Sequence, residues 1–137
     1  MARIKILAID NDKVCLELIT LAFNPEDYDV KTISNPIGLV GIIDNFNPDI
    51  IFVDINTPNM VGEKVIYKLK DSRFKDTPII FLTTNLDSDV HKKVFLLGCA
   101  GVIIKPFNLS TLLSEVRPVI EINRLKKLTE RLRRCAG

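Results

Sequence analysis

The feature that most restricts how this chain can fold is an alternation. Short apolar runs, several rich in β-branched residues, are separated by segments whose apolar residues recur at helical spacing. Ile4 to Ile9 is the first run, and Val14, Leu18, Leu21 and Ala22 follow at three- and four-residue intervals. Tyr28 to Ile33 alternates as a strand, after the turn residues Asn24-Pro25-Glu26-Asp27. Asn35-Pro36 is expected to open a second helix through Leu39, Val40, Ile43 and Phe46. Ile50-Ile51-Phe52-Val53 is a continuous apolar strand, and Val65, Ile66 and Leu69 mark the helix after it. Ile79-Ile80-Phe81-Leu82 is the fourth strand. Asp87-Ser88-Asp89 supplies caps for a helix through Val94, Leu96 and Leu97 that Gly98 closes. Gly101 to Ile104 is the fifth strand, and a last helix begins near Leu109 or Ser110.

Strands joined through single helices run parallel with right-handed crossovers, which covers the sheet on both faces. The expected fold is therefore a doubly wound five-stranded parallel α/β sheet with flavodoxin-like order 2-1-3-4-5 and an extended C-terminal helix. At 137 residues, 47% hydrophobic and 26% charged, the chain suits one globular domain. No apolar run approaches the roughly 20 residues that cross a bilayer, and the first ten residues read as a strand rather than a signal peptide. Cys15, Cys99 and Cys135 lack metal-ligand spacing and are expected to be reduced thiols in a cytosol. His91, among charged residues and without a second His or Cys at ligand spacing, is expected on an exposed helical face with no metal or catalytic role.

Sheets of this kind bind ligands beyond the carboxyl ends of their strands. Those ends carry Asp10-Asn11-Asp12, Asp54, Thr83-Thr84 and Lys105-Pro106. In the inferred strand order they converge on one pocket of carboxylates, a hydroxyl and an ammonium. Oxygen donors of that sort suit Mg²⁺, and a carboxylate beside such a cation can attack phosphorus. Taken singly, Asp10 and Asp12 can equally well be helix caps, Thr83 structural and Lys105 a solvated charge. The helix after Asp54 starts too late for Asp54 to cap it.

Four runs carry a resemblance: Ile-Leu-Ala-Ile-Asp-Asn-Asp (residues 6–12), Ile-Ile-Phe-Val-Asp-Ile-Asn-Thr-Pro-Asn-Met-Val-Gly (50–62), Pro-Ile-Ile-Phe-Leu-Thr-Thr (78–84) and Gly-Val-Ile-Ile-Lys-Pro-Phe (101–107). Together they resemble the motifs of response-regulator receiver domains of two-component signalling, over about Arg3 to Val119. The resemblance implies that Asp54 is the phosphoacceptor, served by a sensor histidine kinase, a phosphotransfer protein or a small phosphodonor. It implies that Asp10, Asn11, Asp54 and the backbone carbonyl of Asn56 hold Mg²⁺, that Thr83 and Lys105 contact the phosphoryl group, and that Pro106 follows a cis bond. A downstream effector or a covalently attached output domain would read the switch. The chain would be no enzyme beyond its own phosphorylation and dephosphorylation.

Three residues depart from the pattern. Asn11 stands where the family usually has a second acid, Val102 where it often has Tyr or Phe, and Thr84 where Ala is common. Asn11 and Val102 keep open a pseudo-receiver that takes no phosphate and acts as a docking or dimerisation module. A phosphatase using Asp54 as nucleophile is a third reading, disfavoured by Asn56 where a second acid would stand.

Residues 1–120 are expected to form the receiver and 121–137 a helical extension or linker. From Arg117 onward seven basic residues oppose Glu121 and Glu130, a net of +5, which leaves −3 for the rest of a chain of net +2. Leu125, Leu128 and Leu132 continue at helical spacing. A solvated extension, a coiled coil leading to an output domain or a homodimer, and a basic surface for nucleic acid or membrane all fit this pattern. The coiled coil is preferred, because the segment lacks aromatic interleaving or a DNA-binding motif. Neither direct nucleic-acid binding nor a membrane role is expected of it. Pro118 is expected to interrupt or restart the helix.

Overall fold

The computed structural model describes residues 3–35, 37–54, 61–70, 72–84 and 86–136. Its elements are β1 (Ile4–Ile9), α1 (Lys13–Ala22), β2 (Tyr28–Ile33), α2 (Leu39–Phe46), β3 (Ile50–Asp54), α3 (Val61–Lys70), β4 (Ile79–Thr83), α4 (Ser88–Leu96), β5 (Gly101–Ile104) and α5 (Leu109–Ala136). The five strands are parallel in the order β2-β1-β3-β4-β5, as expected. β3 and β4 are buried along their whole length, the reason their sequences are continuously apolar. β2, at one edge of the sheet, is half-buried to exposed throughout and accordingly mixes polar with apolar residues.

Because side chains alternate across a strand, the sheet divides its apolar residues between two cores. Ile6, Ala8, Ile50, Phe52, Ile80, Leu82 and Ile103 pack against Leu16 and Ile19 of α1 and Leu112, Val116 and Ile120 of α5. Leu7, Ile9, Ile51, Val53, Ile79 and Phe81 pack against α2, α3 and α4 through Leu39, Ile43, Ile66, Leu69 and Val94. Each fully buried side chain of this size contributes about 1.5–3 kcal/mol. The cores on both faces hold the strand termini in fixed positions, which sets the geometry of the site.

Two helix boundaries differ from the sequence expectation. α2 begins at Leu39, after Gly38 at φ 71°, a left-handed conformation that glycine adopts without a Cβ penalty. Pro36, expected at its start, lies outside the described residues. α5 is one continuous helix of 28 residues that runs through Pro118 rather than stopping or restarting there. Pro118 lies on the solvent side of the helix, while the buried Val116 and Ile120 hold the chain to the core on either side of it. Packing on both sides of the missing N–H therefore outweighs the local cost of proline. α1 and α4 are capped as the sequence suggested, by Asp12 accepting from the Val14 N–H and Asp87 from the Asp89 N–H. Gly98, at φ 97°, follows α4.

Candidate functional site

Parallel pairing brings four strand ends to the same edge of the sheet. Asp54 and Thr83 are the last residues of β3 and β4, and Asp10 and Lys105 directly follow β1 and β5. The register aligns them: Ile9 pairs with Val53, Asp54 with Leu82, and Thr83 with Ile104. The Lys105 N–H donates to the Thr83 carbonyl at 2.8 Å, which ties the end of β5 to β4. The Lys105–Pro106 peptide bond is cis, as the resemblance implied.

Asp10 is 0% exposed, Thr83 0% and Asp54 4%, a concentration of buried polar groups found at no other position among the described residues. The Lys105 ammonium lies between the two carboxylates and donates to Asp10 Oδ2 at 2.5 Å and to Asp54 Oδ2 at 3.2 Å. Asp10 also accepts the Asp12 N–H through Oδ1 at 2.9 Å. Burial alone would push the Asp10 carboxyl up. Hydrogen bonds from Lys105, the Asp12 N–H and the Cys15 thiol outweigh it and hold the carboxyl below its ordinary value. Burial would likewise pull the Lys105 ammonium down, but the Asp10 hydrogen bond and the nearby negative charges, Asp54 among them, raise it. Asp10 and Lys105 are therefore charged at neutral pH, and by formal charges the triad sets two carboxylates against one ammonium.

The competing readings of the two early aspartates separate here. Asp12 is the cap of α1, its carboxylate engaged with Val14. Asp10 is not a cap; its carboxylate faces Lys105. Asn11 is exposed beside them. Asn56 lies outside the described residues, so its backbone carbonyl is not placed. Thr84 is exposed, and Val102 packs half-buried against the α2–α3–α4 side of the sheet. His91 is half-buried in α4 rather than on a fully exposed face. Among the described residues no three His, Cys, Asp or Glu side chains are grouped as a metal cage.

The donors present suit one particular kind of metal. Two carboxylates from Asp10 and Asp54, with the amide oxygen of Asn11 nearby in sequence, form an oxygen-only set. Mg²⁺ takes one or two protein carboxylates and keeps several waters. The position of the Lys105 ammonium, against both carboxylates, shows that this pocket is built around a shared positive charge.

Sequence reasoning did not connect Cys15 to the site. Expected only to be a reduced thiol, Cys15 hydrogen-bonds Asp10, and burial and that carboxylate push its pKa up to about 12. Its place five residues after Asp10, on the inward face of the first turn of α1, was the available signal. A consequence is testable: at pH 8, alkylation of Cys15 in the folded protein should run at least about a hundredfold slower than that of the exposed Cys135. Mass mapping after timed iodoacetamide pulses measures both rates, and comparable rates would contradict the burial and hydrogen bond described.

The model of one family, described as the response regulator receiver domain, matches residues 6–117. Among curated proteins, the chain is 28% identical over 124 residues to a probable transcriptional regulator, ycf29, of Pyropia yezoensis, covering 90% of this chain and 56% of that protein. It is 23% identical over 123 residues to the regulatory protein AtoC of Escherichia coli, covering 90% of this chain and 26% of that one. The chain thus spans between about a quarter and just over half the length of these relatives. Among solved structures, the chemotaxis response regulator CheY4 of Vibrio cholerae superimposes with TM-score 0.77 at 27% identity, over 86% of this chain and 99% of that one. The receiver domain of a Vibrio parahaemolyticus Luxo repressor protein shares the fold at TM-score 0.83 and 21% identity, over 94% and 98%.

Proposed function

The chain belongs to the response regulator receiver domain family of two-component signal transduction, and on that premise we propose that it is a phosphorylation-dependent switch whose phosphoacceptor is Asp54. The observation that carries this reading is the buried Asp10–Lys105–Asp54 triad at the carboxyl edge of the sheet. An Asp54 carboxylate oxygen forms the new bond to phosphorus. The bond from phosphorus to the donor's leaving group breaks, and that group departs with the electron pair. Lys105, already within 3.2 Å of Asp54, is placed to pair with the phosphoryl oxygens, and the fully buried Thr83 ends the adjacent strand β4. Mg²⁺, held by Asp10, Asp54, Asn11 and the Asn56 carbonyl, would neutralise the repulsion between the acceptor and the incoming phosphoryl oxygens.

The added phosphate brings close to two negative charges. Lys105 and Thr83 are the groups that respond, and the loops after β3 and β4 carry the change to the surface formed by α4, β5 and α5. Val102 offers no aromatic ring to report it, so the response rests on Thr83 and on repacking of the half-buried Val102. Residues 1–120 form the receiver in this reading, and 121–137 lead to an effector or attached output domain. The switch works in the cytoplasm, and its phosphodonor is a sensor histidine kinase or a phosphotransfer protein.

The test is localisation. Incubation with Mg²⁺ and acetyl phosphate should add one phosphoryl mass, carried on the peptide that contains Asp54. A label on another residue, or an equal gain without Mg²⁺, would overturn the assignment. Asn11 favours one alternative, a docking module that takes no phosphate. That reading requires no mass gain from acetyl phosphate or any kinase, and partner binding unchanged in Asp54→Ala.

A further inference from the structure

The edge of the sheet opposite the Asp10–Asp54 pocket carries a second concavity. Residues 47–48, 73–78 and 98–100 lead into β3, β4 and β5, and with the C-terminal part of α5 they border a cleft of about 900 Å³. The helix lines it through Ile122, Lys126, Thr129 and Arg133, spaced four, three and four residues apart and therefore on one stripe. Leu125 and Glu130 flank that stripe, whereas the exposed Leu128 and Leu132 do not line the cleft.

Asp49 holds this wall in place. Its carboxylate accepts from the Lys127 ammonium at 2.9 Å and from the Lys5 N–H at 2.8 Å, and its carbonyl accepts from Asn123 Nδ2 at 3.4 Å. One residue thus ties α5 to the start of β1 and the approach to β3, and the cleft is largely formed before any ligand arrives.

The lining selects an occupant in two ways. Arg73, Lys75, Lys126, Lys127 and Arg133 stand there with Asp76 and Glu130, a formal excess of three positive charges. Arg73 is engaged with Asp44 at 3.0 Å and Lys127 with Asp49, but Lys75, Lys126 and Arg133 make no ion pair among the described residues. Beside these cations, Ile122 and Leu125 remain 54% and 53% exposed although they line a concave surface. Phe74, the one aromatic residue of the lining, is buried, so no exposed ring is present on which a nucleic-acid base could stack. Asp76 and Glu130 would also repel a phosphate backbone. A protein segment with carboxylates around an apolar side chain suits both features. Ile122 to Arg133 rises about 17 Å along the helix, the length of about five extended residues.

We propose that this cleft docks an extended acidic segment of a partner protein, seating an apolar side chain on Ile122 and Leu125 and pairing carboxylates with Lys75, Lys126 and Arg133. The carboxylates of Asp10 and Asp54 disfavour such a segment at the other edge of the sheet. Docking is independent of whether Asp54 takes phosphate.

The probes are short fluorescein-labelled peptides in which a central Leu, Phe or Ala is flanked by glutamates on both sides. In anisotropy titrations with the full chain, the Leu and Phe forms should bind, and the Ala form at least about fivefold more weakly. In isotope-labelled chain, backbone resonances of residues 73–78, 98–100 and 122–133 should shift, and those of Asp10, Asp54 and Lys105 should not. Lys126→Glu combined with Arg133→Glu should weaken binding at least about tenfold, and Ile122→Ala combined with Leu125→Ala at least about fivefold. All four side chains are exposed, so the circular dichroism of both variants should match wild type. Raising NaCl from about 50 to about 500 mM should weaken binding about tenfold. No binding by any of the peptides, or shifts centred outside the cleft, would overturn the proposal. An Ala form as tight as the Leu form would overturn it too, leaving a nonspecific anion surface. Tighter binding of a single-stranded oligothymidylate would assign the cleft to nucleic acid instead.

Discussion

In Asp54→Asn, phosphoryl uptake from acetyl phosphate should fall below detection, at least about a thousandfold under wild type, while the fold is retained or strengthened. The loss follows from chemistry: an amide oxygen is a poor nucleophile and cannot complete the anionic metal site. The stability effect follows from the charge count in the triad. Two carboxylates, at 0% and 4% exposure, share one ammonium, so the cluster carries an uncompensated negative charge in a desolvated place. Neutralising Asp54 removes that excess and leaves Lys105 with Asp10, its closer partner. Urea denaturation in EDTA should therefore show the variant equal to wild type or more stable by up to about 2 kcal/mol. A loss of more than about 1 kcal/mol would mean that Asp54 is chiefly a structural partner of Lys105.

Lys105→Met should act in the opposite direction. It leaves both carboxylates buried with no cation between them, and breaking a buried pair in this way costs about 3–5 kcal/mol. The isosteric methionine keeps the packing of the stem, so the loss is electrostatic. Its pH dependence has a definite sign. Asp10 is depressed in the folded protein, so its pairing stabilises above the ordinary carboxylate range and is lost as pH falls through the lowered value. Lys105 is raised, so its contribution is complete below the ordinary lysine range and is lost as pH rises through the raised value. The gap between wild type and variant should be widest near neutrality and should close in acid. Mg²⁺ should also raise the melting temperature of the variant more than that of wild type, because it meets no competing ammonium. A pH-independent gap, or equal Mg²⁺ effects, would contradict the triad as described.

The site was legible in part because a parallel sheet turns chain order into spatial order. Once β1, β3, β4 and β5 are neighbours, residues that end those strands must meet, whatever lies between them in sequence. Asp10, Asp54, Thr83 and Lys105 could therefore be nominated from strand ends alone. Cys15 could not, since its thiol reaches Asp10 through the angle at which α1 leaves the strand. The roles of Asp10 and Asp12 also could not be separated, because both are short acids at a helix start. A hydrogen bond to Val14 in one case and to Lys105 in the other decided between them.

Pro118 shows the reverse situation. Local propensity pointed to a break, and two buried neighbours on the core side overrode it. Strand periods, apolar runs and the residues at strand ends are properties of short stretches of chain, and the sequence by itself determined them along with the doubly wound fold. It was tertiary packing that placed one ammonium between two buried carboxylates, carried α5 straight through its proline and turned Leu128 and Leu132 away from the body. Those outcomes depend on contacts between residues 95 and 51 positions apart in the triad and 78 apart at Lys127–Asp49, distances over which no local pattern carries information.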